Sequence, residues 1–94
     1  MITISDLYDT ICQRRDNPPA NGRSYTSSLM EKGEDEILKK VGEEAVEVIL
    51  AAKAQGDPRV IEEVADLTYH VLVLLASRHL TPADILAELD RRHH

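Results

Sequence analysis

Apolar residues recur at helical spacing along nearly the whole chain. Ile4, Leu7, Tyr8 and Ile11 follow the i, i+3, i+4, i+7 repeat that gathers one stripe on one face of a helix. The repeat predicts a first helix over residues 5–14, capped by Ser5 or Thr3 through a side-chain oxygen that accepts from a free N–H of the first turn. It stops before Asp16-Asn17-Pro18-Pro19-Ala20-Asn21-Gly22, where proline removes donors and clashes with a continuing helix. A short helix over 26–32 follows, with Gly33 as its stop. Glu34, Asp35 and Glu36 then suit the positive N-terminal end of a long helix over 34–54. Its expected buried stripe is Ile37, Leu38, Val41, Ala45, Val48, Ile49 and Ala52. Gly56 reads as the stop, Asp57 as the next N-cap and Pro58 as the first helical residue of a second long helix over 58–78. Val60, Ile61, Val64, Leu67, Thr68, Val71, Leu72, Leu74 and Leu75 supply its core positions. The last helix opens with Thr81 as N-cap, Pro82 at the first position and Asp84 at the third, turns Ile85, Leu86 and Leu89 inward, and frays near Arg91. No run alternates with period two, so the chain reads as all-α.

Two long helices separated by a three-residue break predict a helical bundle of four to five helices around a central antiparallel pair. Residues 46–52 are apolar nearly all round except at Glu47. A helix apolar on more than one side is buried on more than one side, so the bundle is expected to be completed by dimerisation. Ninety-four residues suit one domain over 1–94. With no Trp, no Phe and three Tyr, the core must be built from Leu, Ile, Val and Ala.

The net charge of -6 argues against a nucleic-acid groove, which needs a basic footprint. It is compatible with a small phosphorylated ligand if metal ions carry the positive charge. The single cysteine, Cys12, cannot form an internal disulfide and falls beside the first apolar stripe, which suits core packing in a reducing cytoplasm. The first residues carry neither a basic segment nor a long apolar one, and the longest strongly apolar run, 71–76, falls far short of the ~20 residues a membrane span needs. The expected location is cytoplasmic, without membrane contact. The terminal His93-His94 pair is set apart from the metal argument, since such a pair can begin a purification tag.

Candidate chemistry lies on either side of the break. Glu44 and Glu47 precede it, and Glu63 and Asp66 follow it, each pair at i, i+3 and so on one helix face. In an antiparallel hairpin Glu47 and Asp66 share a level, Glu44 lies one turn further from the loop, and Glu63 one turn nearer. With helix axes ~8–10 Å apart, the four acids can converge on a hard divalent cation. The alternative is a solvated acidic face. Against it, Glu44 and Glu47 border buried positions, and Asp66 sits in the most apolar helix, where helix propensity gives little reason for an aspartate. His70, four residues after Asp66, can be a ligand, a proton carrier, a phosphate contact or a packed bundle histidine. Lys39 and Lys40, one turn before the first acids, and Lys32 upstream can hold phosphate oxygens as point charges. Arg23, Ser24 and Thr26 can contact phosphate or cap the short helix.

Taken together, Ser24-Tyr25-Thr26, Lys32-Gly33, Lys39-Lys40-Val41-Gly42-Glu43-Glu44-Ala45-Val46-Glu47 and Glu63-Val64-Ala65-Asp66-Leu67-Thr68-Tyr69-His70 resemble the phosphoribosyl-ATP pyrophosphohydrolases of histidine biosynthesis. These are a branch of the all-α (MazG-like) nucleoside-triphosphate pyrophosphatases, marked by Glu-Glu-x-x-Glu followed by Glu-x-x-Asp. The acid motif points to the superfamily; the Ser-Tyr-Thr and Lys-Lys-Val-Gly-Glu-Glu-Ala segments point to the branch. The resemblance implies hydrolysis of phosphoribosyl-ATP to phosphoribosyl-AMP and pyrophosphate by a magnesium-activated water. It implies Glu44, Glu47, Glu63 and Asp66 as magnesium ligands, with Glu43 binding or orienting water. Ser24, Tyr25, Thr26, Lys32, Lys39, Lys40 and His70 are then expected at the substrate, and a homodimer or higher homo-oligomer is implied. Two other readings use the same residues: a housekeeping nucleoside-triphosphate pyrophosphatase, and a non-catalytic helical dimerisation module with an acidic face. A di-iron bundle would need Glu-x-x-His pairs, and the chain has none around His70.

Overall fold

The computed structural model describes residues 1–22 and 24–93, and these form five helices and no strand. They are α1 (Ile4–Asp16), α2 (Tyr25–Lys32), α3 (Glu34–Ala54), α4 (Asp57–Ser77) and α5 (Pro82–Arg92). The all-α expectation holds, and the two long helices α3 and α4 pack against each other more extensively than any other pair.

The helix starts follow from local hydrogen bonds. Thr3, not Ser5, caps α1: its hydroxyl accepts from the Asp6 N–H at 3.0 Å and the Asp6 carboxylate accepts from the Thr3 N–H at 3.1 Å. Thr81 and Asp84 make the same reciprocal pair at the start of α5, as the spacing predicted. The start of α4 differs from expectation. Asp57 is already helical and Gly56 is the N-cap, at φ 86, with no side-chain cap bond. A positive φ at Gly56 lets the chain reverse between α3 and α4 within two residues, and this moves the cap one place ahead of Asp57.

The core lies at one end of the long hairpin. Tyr8, Ile11, Leu29, Ile37, Leu72, Val73, Leu75 and Ala76 form one buried cluster, with Leu7, Cys12, Met30, Tyr69 and Leu74 packed against it. Two long-range bonds pin α1 to the end of α4: the Tyr8 hydroxyl donates to the Leu80 carbonyl, and Arg15 Nη1 donates to the Ala76 carbonyl at 2.7 Å. Toward the Gly56 turn the packing thins, and Ala51 is the buried apolar residue there.

Several expected core positions are therefore exposed. Leu38, Ile49 and Ala52 on α3, Ile61 and Val64 on α4, and Ile85, Leu86 and Leu89 on α5 face outward. Periodicity finds an apolar stripe but not the body that covers it, and α1 and α2 reach only the end of the hairpin away from the turn. Among the described residues no helix is long and apolar enough to cross a membrane.

Candidate metal and substrate site

Three carboxylates meet where α3 faces α4. One oxygen each from Glu44, Glu63 and Asp66 lies within 4.8 Å of the others. Glu63 is buried, Glu44 is half-buried and Asp66 is exposed. An all-oxygen donor set, open on one side, suits a hard cation that keeps several waters, as Mg²⁺ does. Lys40, Glu43, Val46 and Glu47 complete the lining of the same cavity.

Glu47 lines the cavity without joining the three converging oxygens. Level along a helix axis does not fix the direction in which a side chain points. At 3.6 residues per turn, Glu44 and Glu47 differ by about 60° around α3, and Glu44 is the one directed at the α4 acids.

Cations flank the acids. Lys40 Nζ stands 3.5 Å from Glu43 Oε1 and 3.6 Å from Glu44 Oε1. Partial burial works to pull the Lys40 ammonium down, but the Tyr25 phenol and the carboxylates of Glu43 and Glu44 outweigh it and hold its pKa above the ordinary value. On α4, Arg59 Nη2 lies 2.6 Å from Glu63 Oε1, and Arg59 Nη1 lies 3.4 Å from Glu62 Oε1.

An aromatic group stands near the acids, outside the lining of their cavity. Tyr25, Tyr69 and His70 meet with ring centroids 5.1–6.1 Å apart, the two tyrosines nearly stacked and His70 edge-on to both. The Tyr25 hydroxyl is 2.9 Å from His70 Nε2, and His70 Nδ1 is 2.7 Å from the Asp66 carbonyl oxygen. Burial raises the Tyr25 phenol pKa; Lys40 opposes this, and Tyr69, Glu44 and Glu36 add to it. Lys40 and Glu44 both act on Tyr25, so this aromatic group borders the acid cluster.

The other predicted site residues divide. The Ser24 hydroxyl accepts from the Ser27 N–H at 3.1 Å and caps α2. The Thr26 hydroxyl is buried against the Tyr69 hydroxyl. Lys32 and Lys39 are exposed and lie outside the lining of the acidic cavity. Arg23 lies outside the described residues. Two site neighbours escaped the sequence reading. Tyr69 had a signal, since an aromatic beside His70 stands out in a chain with three. Arg59 had only its i, i+4 spacing to Glu63. A larger open cleft between the α1–α2 loop and the end of α4, lined by Arg14, Arg15, Arg78 and His79 among others, contains none of the predicted site residues.

The family model described as phosphoribosyl-ATP pyrophosphohydrolase matches residues 4–93. The chain is 55% identical to the phosphoribosyl-ATP pyrophosphatase of Pelotomaculum thermopropionicum over 95% of this chain and 89% of that protein. It is 57% identical to the phosphoribosyl-ATP pyrophosphatase of Lacticaseibacillus casei over 96% of this chain and 80% of that one. A histidine biosynthesis bifunctional protein of Caldanaerobacter subterraneus is 48% identical over 96% of this chain, which spans 43% of that longer protein. With its α3 and α4 acids gathered at one cavity and matches that run nearly from end to end, the chain belongs to the phosphoribosyl-ATP pyrophosphohydrolase family.

Proposed function

We propose that this chain hydrolyses phosphoribosyl-ATP to phosphoribosyl-AMP and pyrophosphate, the second step of histidine biosynthesis, as one domain working with Mg²⁺ in the cytoplasm as a homodimer. The observation that carries the reading is the convergence of Glu44, Glu63 and Asp66, within 4.8 Å, in a chain of this family. Those three carboxylates, with Glu47 on the same wall, are the proposed magnesium ligands.

Bound there, Mg²⁺ would neutralise phosphate charge and make a water nucleophilic near neutral pH. The chain's own groups do the rest. Glu43, exposed at the mouth, accepts a hydrogen bond from water and orients it. Lys40 binds phosphate oxygens as a point charge, and the half-exposed Tyr25 ring offers an apolar face beside it. Ser24 and Thr26 act by holding α2, and therefore Tyr25, in place. Lys32 and Lys39 serve the outer reach of a long polyanion. Phosphoanhydride hydrolysis needs mainly positioning and charge stabilisation, so no covalent nucleophile is required.

The test is product analysis with phosphoribosyl-ATP against ordinary nucleoside triphosphates, with and without Mg²⁺. Pyrophosphate release should require Mg²⁺ and favour phosphoribosyl-ATP. Glu47→Gln and Asp66→Asn should each lower kcat by about a hundredfold or more, the scale of losing a charge-stabilising group, with helicity retained. Near-normal turnover in both variants would sink the assignment of these acids.

A further inference from the structure

The buried acid of the site has a cation of its own. Glu63 is 6% exposed, and Arg59, one turn earlier on α4, reaches its Oε1 at 2.6 Å. A carboxylate buried beside two others is costly without a counter-charge, and among the described residues Arg59 is the cation that contacts Glu63. Helix electrostatics alone makes this the weaker of the two possible orders. At i, i+4 the better order places the acid first, whereas here the cation precedes it, and Lys40 precedes Glu44 on α3 in the same way. A divalent cation among Glu44, Glu63 and Asp66 would set its charge against the guanidinium already seated on Glu63. Arg59 also has a second seat, because its Nη1 is 3.4 Å from the exposed carboxylate of Glu62 and its side chain is 45% exposed.

We propose that Arg59 is a resident counter-ion of Glu63 that trades places with the divalent cation. In the metal-free protein the guanidinium neutralises the buried carboxylate. When the cation enters, Arg59 gives up Glu63, turns toward Glu62 and the cavity mouth, and becomes a cation for the phosphates of a polyanionic substrate. The exchange rests on the magnesium reading above. Its consequence is that free Mg²⁺ binds the empty site more weakly than three acids alone would dictate, and binds better once phosphate has claimed Arg59.

The experiment is calorimetric titration of the full chain with Mg²⁺ alone, repeated in inorganic phosphate, an anion that chelates Mg²⁺ only weakly, for the wild type, Arg59→Gln and Arg59→Lys. Melting temperatures are measured without metal. Half-exposed Arg59 bears little packing, so both variants should fold. Arg59→Gln should bind Mg²⁺ about tenfold tighter, since it removes a unit charge next to a divalent one, and should melt lower without metal. It should also lose the gain in Mg²⁺ affinity that inorganic phosphate gives the wild type. Arg59→Lys, which keeps the charge, should stay within about threefold of wild type. Equal or weaker Mg²⁺ binding by Arg59→Gln in a wild-type background that binds the ion overturns the exchange and leaves the metal site standing. A wild type that takes up no Mg²⁺, with or without inorganic phosphate, overturns the metal reading and the exchange with it.

Discussion

His70 is held from both ends, and that decides what it can do. A backbone carbonyl only accepts, so the 2.7 Å contact to the Asp66 oxygen places the proton on Nδ1. In the neutral ring Nε2 then accepts, and the Tyr25 hydroxyl donates to it at 2.9 Å. His70 is buried, and both its nitrogens are engaged within the protein. Of the roles open to it from sequence, the packed bundle histidine fits best, as a strut between α2 and the carboxylate-bearing turn of α4. Tyr25→Phe strips Nε2 of its partner and should lower stability by about 1–2 kcal/mol, the cost of a buried polar atom left unpaired. It should add little in a chain already carrying His70→Leu, and a double-mutant cycle by denaturant unfolding checks this coupling. At this scale the acids were legible in sequence because carboxylates at i, i+3 in an apolar helix have no cheap explanation. Arg59 was not, because its spacing to Glu63 is that of any exposed helical ion pair, and only the burial of Glu63 makes it distinctive.

The helices themselves were legible where a side chain makes the boundary. Thr81, Pro82 and Asp84 announce the start of α5 through groups whose hydrogen bonds are local. The Gly56 turn was legible as a break, but its cap slipped by one residue because backbone conformation, rather than the Asp57 side chain, sets it. The end of α4 is a boundary of the second kind. There the Leu80 N–H bonds the Leu75 carbonyl at 2.9 Å and the His79 N–H bonds the Ala76 carbonyl at 3.1 Å, the two bonds of a Schellman motif. The left-handed residue such a motif requires is usually glycine, and here it is His79, at φ 57. A left-handed non-glycine costs ~1–2 kcal/mol, and glycine returns part of that through unfolded-state entropy. His79→Gly should therefore stabilise the fold by about 0.5–1 kcal/mol, raising Tm by roughly 2–6 °C at fixed protein concentration. An unchanged or lower melting temperature would show that the His79 side chain contributes more than its backbone costs.

The exposed apolar residues leave a face on the α3–α4 hairpin that a second chain could cover. A monomeric protein of 10.5 kDa is expected to expose about 5,400 Å². This chain exposes 6708 Å², an excess of about 1,300 Å², and its radius of gyration is 14.5 Å against the ~12.4 Å expected of a compact body of its length. Part of the exposed apolar surface lies where the sequence predicted burial: Val46, Ile49 and Leu50 on α3, and Ile61 and Val64 on α4 are each at least 42% exposed. Periodicity and the apolar run over 46–52 mark this face in the sequence, but within one chain α1 and α2 cover only the end of the hairpin away from the turn. A second hairpin laid against the first would bury them and complete a four-helix core. Obligate interfaces often exceed 2,000 Å² in total, so a surplus of this size per chain is enough for a stable pair. Wild-type chain should sediment as a dimer at micromolar concentration. Ile61→Glu, at 71% exposure the most open of these positions, would be nearly neutral on a monomer but places a charge inside the proposed seam. It should shift the chain to monomer and make its melting temperature lower and independent of protein concentration. A wild type that sediments as a monomer with full pyrophosphatase activity, or an Ile61→Glu dimer as tight as wild type, would mean that this face is covered in some other way.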